Sequence, residues 1–231
     1  MSDMLKRLWS VDNKSLNVVL WGQAGSGKTF FVETTLKQYL RQSKDKNERF
    51  VYISPKNEGF EDYELVLDIE DIPTALSKNR VVRFYPQDMD FLEQDIDSTI
   101  DLVFRMQAKN PKSTYIVIID DAQIGLSSRK AATPQLKRLA LTGRSRGIRG
   151  IFIAHNIVLN RELEGQVDLL VGFSNPNPTY YKQSIERFEF DPAPFAEPML
   201  ERPYSFVWYD MRTKNPILMS PIASKKSDND V

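Results

Sequence analysis

Gly22-Gln23-Ala24-Gly25-Ser26-Gly27-Lys28-Thr29 constrains this chain more than any other stretch. It matches the pattern G-x-x-x-x-G-K-[ST] at every fixed position. The apolar run at 16–21 leads in and reads as a buried strand. Residues 30–40 carry apolar side chains at helical spacing, so the loop opens a helix. In that setting glycines let the backbone close around phosphate oxygens with its N–H groups pointing inward. The helix N-terminus adds positive potential. Lys28 then reaches the β- and γ-phosphates, and the Thr29 hydroxyl serves as a Mg²⁺ ligand. A chance glycine-rich turn is the bland alternative, and the agreement of strand, loop and helix weighs against it.

The 231 residues suffice for one large α/β domain, and 41% of them are hydrophobic. Cysteine is absent, which removes disulfides, thiol nucleophiles and Cys-based zinc sites, and suits a reducing compartment. The N-terminus shows no secretory pattern, and no apolar run approaches the roughly 20 residues that span a bilayer. The expected protein is soluble, or peripheral through a partner. The formal net charge is +0, which argues against an overall nucleic-acid clamp, but the charges are unevenly placed. Acids crowd residues 58–101. Residues 122–160 contain none, while Arg129, Lys130, Lys137, Arg138, Arg144, Arg146 and Arg149 fall among them. Such a segment is either a phosphate-facing surface or an ordinary solvated helix face.

Strands are expected at 17–21, 49–54, 80–85, 114–119, 150–154 and 167–173, and helices at 28–41, 91–108, 135–144 and 179–188. Apolar strands alternating with helices imply a mainly parallel sheet covered on both faces, with ligands at the carboxyl ends of the strands. Residues 203–211 are expected to add a late edge strand. Residues 62–71 fit a short strand, a helix or a loop equally well. The expected organisation is an N-terminal arm or cap at 1–14, one domain at 15–223 and a disordered polar tail at 224–231. Trp21 is expected in the core, and Phe206, Trp208 and Tyr209 against the sheet edge.

Thr114-Tyr115-Ile116-Val117-Ile118-Ile119-Asp120-Asp121 is an apolar strand ending in two carboxylates, the Walker B pattern. A buried strand aims its terminal acid at the metal beside the nucleotide, and a neighbouring acid orients or deprotonates the attacking water. Asp120 is therefore the expected metal residue with Thr29, and Asp121 the expected base. The distance of this strand from the phosphate loop points to the class with an additional strand between the two motifs. A third segment, Gly143-Arg144-Ser145-Arg146-Gly147-Ile148, runs into the strand at 150–154, which ends in His155 and Asn156. His155, the chain's one histidine, or Asn156 would face the γ-phosphate. Arg144 or Arg146 is a candidate finger supplied to a neighbouring subunit's nucleotide, with surface or DNA-facing arginine as the alternative.

On these three segments the chain resembles the FtsK–HerA superfamily of P-loop ATPases over residues 17–173. More narrowly, it resembles the genome-packaging ATPases of membrane-containing icosahedral double-stranded DNA viruses. The resemblance implies a RecA-like α/β fold of the additional-strand class, with ATP and Mg²⁺ as cofactors. It implies a homo-oligomeric ring, usually a hexamer, that threads double-stranded DNA without reading sequence. It also implies a capsid or membrane vertex partner, and residence in the host cytoplasm or at the virion vertex. It gives Lys28, Asp121, Arg144, Arg146 and His155 catalytic roles. The sensor position holds His155 where relatives usually carry glutamine, and the second acid is Asp121 where many carry glutamate.

Rival functions remain open on the residues. A GTPase would carry an N-K-x-D element, which neither Asn79-Arg80 nor Asn110-Pro111-Lys112-Ser113 supplies. A small nucleotide kinase would use clustered lid arginines, for which 144–149 could serve. An assembly or secretion ATPase on a membrane-associated complex, or a nucleotide switch, would use the same loop. The segment Pro176-Asn177-Pro178-Thr179-Tyr180-Tyr181 either covers an adenine base or is simply a loop leading into a helix.

Overall fold

The computed structural model describes residues 3–11, 17–122, 132–155, 161–175 and 177–222. The expected boundaries at 14–15 and 223–224, and Arg129, Lys130, Asn156, Pro176 and the 224–231 tail, lie outside them.

Among the described residues the strands are β1 (Asn17–Trp21), β2 (Glu48–Ile53), β3 (Glu64–Val66), β4 (Val81–Phe84), β5 (Thr114–Ile119), β6 (Ile148–Ala154), β7 (Val167–Phe173), β8 (Phe206–Asp210) and β9 (Asn215–Met219). They form one sheet in the order β3-β4-β2-β5-β6-β1-β7-β8-β9. The first seven run parallel. β8 and β9 close the sheet as an antiparallel hairpin. The helices are α1 (Asp3–Trp9), α2 (Lys28–Gln42), α3 (Ile72–Lys78), α4 (Leu92–Lys109), α5 (Pro134–Thr142), α6 (Arg161–Glu164), α7 (Pro178–Phe188) and α8 (Ala193–Glu201).

Every residue of β1, β6 and β7 is buried. Their continuous apolar runs follow from that position, since central parallel strands are covered on both faces. Alternate residues feed opposite layers. Val18, Leu20, Ile151, Ile153, Leu169 and Val171 pack with α1 and α2. Val19, Trp21, Phe152 and Leu170 pack with α3, α4, α5 and α7.

The order β5-β6-β1 places one strand between the phosphate-loop strand and the Walker B strand, so the expected additional-strand class is the observed one. Residues 62–71 divide into β3 and a 3₁₀ turn at Ile69–Asp71, ahead of α3. The late strand is not the edge. β9 lies outside it, with Pro216 where an edge strand tolerates a missing N–H.

At the N-terminus α1 buries Leu5, Leu8 and Trp9, and Trp9 meets Phe50 edge-on at 5.9 Å. Arg149, counted above with the basic segment, is not on the surface. It is 1% exposed, and its Nη1 donates to the carbonyls of Arg7, Leu8 and Ser10. It thereby caps the end of α1, while Asp168 pairs with Arg7 at 2.7 Å and with Arg149 at 3.5 Å. Arg138 lies 4.1 Å over the Phe104 ring of α4 and pairs with Asp101.

Candidate nucleotide site

The loop between β1 and α2 is shaped by two left-handed glycines, Gly25 (φ 73°) and Gly27 (φ 95°). Gly27 begins α2 without any side-chain cap, so the first N–H groups of the helix face outward toward the loop. A Cβ at Gly27 would sit 2.9 Å from Cδ1 of Tyr204, an exposed ring on the approach to β8. Lys28 curls back over the loop, and its Nζ donates to the carbonyls of Gly22 and Gln23, each at 2.8 Å. Burial pulls its ammonium down to about 8, against the attraction of Asp120 and Asp121. A site that burdens a buried ammonium in this way favours an anionic ligand.

Parallel pairing of β2, β5, β6, β1 and β7 brings their carboxyl ends to one edge. Asp120 follows β5. Its Oδ2 accepts from Tyr52 Oη at 2.6 Å and from Thr29 Oγ1 at 3.2 Å, and its Oδ1 accepts from the Asp121 N–H at 2.8 Å. Burial raises the Asp120 carboxyl above its ordinary range, an effect its hydrogen bonds only partly offset. Burial together with Asp120 pushes the Tyr52 phenol far up, so Tyr52 stays a hydrogen-bond donor. Thr29 and Asp120 thus present two oxygens side by side, one of them a half-buried carboxylate for which a divalent cation is the natural counter-charge. The residues present fit Mg²⁺.

Asp121 is 5% exposed and adopts a left-handed backbone (φ 47°), rare for a residue with a side chain. Its Oδ2 pairs with Lys56 Nζ at 2.7 Å, and its Oδ1 lies 3.0 Å from His155 Nε2. The His155 contact follows from topology. β6 lies between β5 and β1, so the residue just past its end stands between the two motifs. Asn175 Nδ2 donates to the His155 carbonyl at 3.2 Å, and the Gln23 N–H to the Ser174 carbonyl at 3.0 Å. These bonds tie the end of β7 to both His155 and the loop.

Arg144 and Arg146 occupy an exposed 3₁₀ turn at the other end of β6. Seven residues of strand separate that turn from His155, about 20 Å, so neither arginine reaches this chain's own loop. Asn177 caps α7 by accepting from the Thr179 N–H at 3.0 Å, and Tyr180 and Tyr181 pack partly on the core. The described part of that segment therefore leads into a helix.

Tyr52, Lys56, Gly59, Asn175 and Tyr204 were absent from the sequence-derived site. Tyr52 and Lys56 enter it because β2 pairs with β5, a neighbour relation that no local pattern encodes.

The sheet order and loop define a P-loop NTPase fold of the additional-strand class. No protein-family profile matches the chain, and no curated protein matches it in sequence. Solved structures do match its fold. The genome-packaging NTPase B204 of Sulfolobus turreted icosahedral virus 2, in complex with ATPγS, superposes with a TM-score of 0.72 at 18% identity. That match covers 90% of this chain and 98% of B204. VirB4 of Thermoanaerobacter pseudethanolicus matches with a TM-score of 0.68 at 10% identity, over 97% of this chain and 93% of that one. EssC (ATPases 2 and 3) from Geobacillus thermodenitrificans matches at 0.58 and 14% identity, over 94% of this chain and 41% of that one. The resemblance read from the motifs thus holds for the fold. Among the described residues, no helix is long and apolar enough to cross a membrane.

Proposed function

We propose that this chain is an ATPase that couples Mg²⁺-ATP hydrolysis to movement of double-stranded DNA, most specifically the packaging of a viral genome into a preformed capsid. The observation that carries the catalytic part is the convergence of Thr29, Asp120, Asp121 and His155 beside the phosphate loop. Resemblance in fold to a genome-packaging NTPase solved with ATPγS supports the coupling to DNA.

The residues divide the work. Lys28 leaves the loop carbonyls for the β- and γ-phosphates. Thr29 and Asp120 would hold Mg²⁺, which when bound neutralises phosphate charge in the transition state. Tyr52 holds the Asp120 carboxylate in place. Asp121 accepts a proton from water as the water oxygen bonds to the γ-phosphorus and the bond to the β–γ bridging oxygen breaks, leaving ADP and phosphate. His155 connects Asp121 to the end of β6 and senses the γ-phosphate. Arg144 or Arg146, out of reach of its own loop, serves a neighbouring subunit in a ring. Basic side chains of the ring grip DNA phosphates without reading bases.

The test is ATP hydrolysis over a series of protein concentrations, with and without double-stranded DNA. The expected rate per subunit rises with concentration and rises again with DNA. Arg144→Ala or Arg146→Ala abolishes that rise while nucleotide binding persists. Hydrolysis indifferent to DNA would favour an assembly ATPase or a switch, and a rate indifferent to both arginines would remove the finger.

A further inference from the structure

The loop that follows β2 is as built as the phosphate loop, and it carries a second lysine into the site. Asn57 (φ 52°), Gly59 (φ 73°) and Phe60 (φ 57°) are all left-handed. For Phe60 that conformation is a real outlier, of the kind that persists only where the surroundings enforce it. The surroundings do so here. Phe60 is fully buried, stacks on Tyr52 at 4.0 Å, and its N–H donates to Glu33 on α2 at 3.2 Å. Arg83 Nη1 donates to the Gly59 carbonyl at 3.1 Å, and Tyr52 Oη lies 3.1 Å from the Glu58 carbonyl. A Cβ at Gly59 would stand 2.8 Å from Cγ2 of Thr29, so the missing side chain lets this loop lie directly against a metal-binding residue.

Lys56 is the charged residue this scaffold delivers to Asp121. Its backbone belongs to a pinned loop, while its side chain remains 52% exposed. Its ammonium is also close enough to Lys28 to repel it. Two lysines from two separate loops thus both feel the charges of Asp120 and Asp121. One carboxylate does not explain a half-exposed ammonium brought to the mouth of a phosphate site next to left-handed Asn57. A terminal phosphate, with more negative charge and three acceptor oxygens, competes for it.

We infer that Lys56 is a γ-phosphate contact supplied by the chain's own β2 loop, and that it leaves Asp121 for the phosphate when a nucleoside triphosphate binds. Its departure frees Asp121 Oδ2 to accept from water, so the base is exposed only when a γ-phosphate is present. Lys56 thereby links recognition of the triphosphate to readiness of the base. The inference rests on the nucleotide-site reading above and adds a residue to it.

The experiment is equilibrium binding of ATPγS and of ADP, each with Mg²⁺, to the full chain and to Lys56→Ala, Lys56→Gln and Lys56→Arg. If the unaltered chain binds neither nucleotide, the nucleotide-site reading itself fails. If it binds both, Lys56→Ala and Lys56→Gln are expected to weaken ATPγS by about ten- to a hundredfold, the worth of one charge-assisted hydrogen bond. ADP affinity should stay within about threefold, and Lys56→Arg should recover most of the ATPγS loss. Equal weakening of ATPγS and ADP, or no weakening of either, would overturn the inference and leave Lys56 as a neutralising partner of Asp121.

Discussion

The two ends of β6 and β7 hold two charged clusters of opposite character. At the amino ends, buried Arg149 and Asp168 and half-buried Arg7 are tied into α1, and the guanidinium of Arg149 is spent on backbone carbonyls. At the carboxyl ends, Asp120, Asp121, His155, Lys28 and Lys56 gather beside left-handed backbone at Gly27, Asn57 and Asp121, with Lys56 and His155 partly open to solvent. The first cluster is closed around Arg149 by the chain's own main chain. The second is held by neighbours that a phosphate or a metal ion can replace. Charge density alone does not separate structure from function here. What the partners are, and whether the backbone is strained to present them, does.

Removing Arg149 breaks the closed cluster. Arg149→Ala leaves Asp168 buried and the end of α1 uncapped, and is expected to cost about 3–5 kcal/mol in denaturant unfolding. Nucleotide affinity of the folded protein should stay unchanged. A change in affinity with little loss of stability would reverse the roles given to the two ends.

Tyr52→Phe sharpens the open cluster. The ring keeps its stacking on Phe60, while Asp120 loses its 2.6 Å donor. The Mg²⁺ concentration needed for half-maximal ATP hydrolysis should rise about ten- to a hundredfold, as for other groups that orient metal ligands. An unchanged Mg²⁺ titration would place Tyr52 outside the metal site.

The smallest effect is in acid. Burial would raise the Asp210 carboxyl, but Arg7 and Arg212 outweigh it and hold it at about 2, below its ordinary 3.8. A depressed carboxylate stabilises the fold above its unfolded value and loses that contribution as pH falls through its folded value. Stability should therefore drop between about pH 4 and pH 2 more steeply in the unaltered chain than in Arg7→Met, as read by denaturant midpoints. Parallel curves would remove Arg7 from the pairing.

The phosphate loop, the Asp120–Asp121 pair and His155 were legible because each sits at the end of a continuous apolar run, and local periodicity records such runs. Membership in the additional-strand class was legible from the spacing of two motifs along the chain. Lys56 and Tyr52 were not, because they depend on β2 lying beside β5, which is a tertiary fact. α1 has only seven residues and β3 only three, too short for periodicity to register. β9 is half-exposed and contains Pro216, which obscures the strand although it marks an edge. Arg149 was misplaced because a charge count carries no burial. Among the described residues, the basic segment supplies a buried cap, an arginine laid over Phe104 and an exposed turn.

The most direct test of the proposed site compares Asp121→Asn with the unaltered chain, measuring ATPγS affinity and phosphate release from ATP side by side. The account predicts affinity within about threefold and a rate lower by at least about a hundredfold, because the amide keeps the shape of Asp121 but cannot take a proton from water. Lys28→Ala should lower both quantities. An Asp121→Asn protein that releases phosphate at the unaltered rate would contradict the assignment of Asp121 as the base, and with it the central claim about this site.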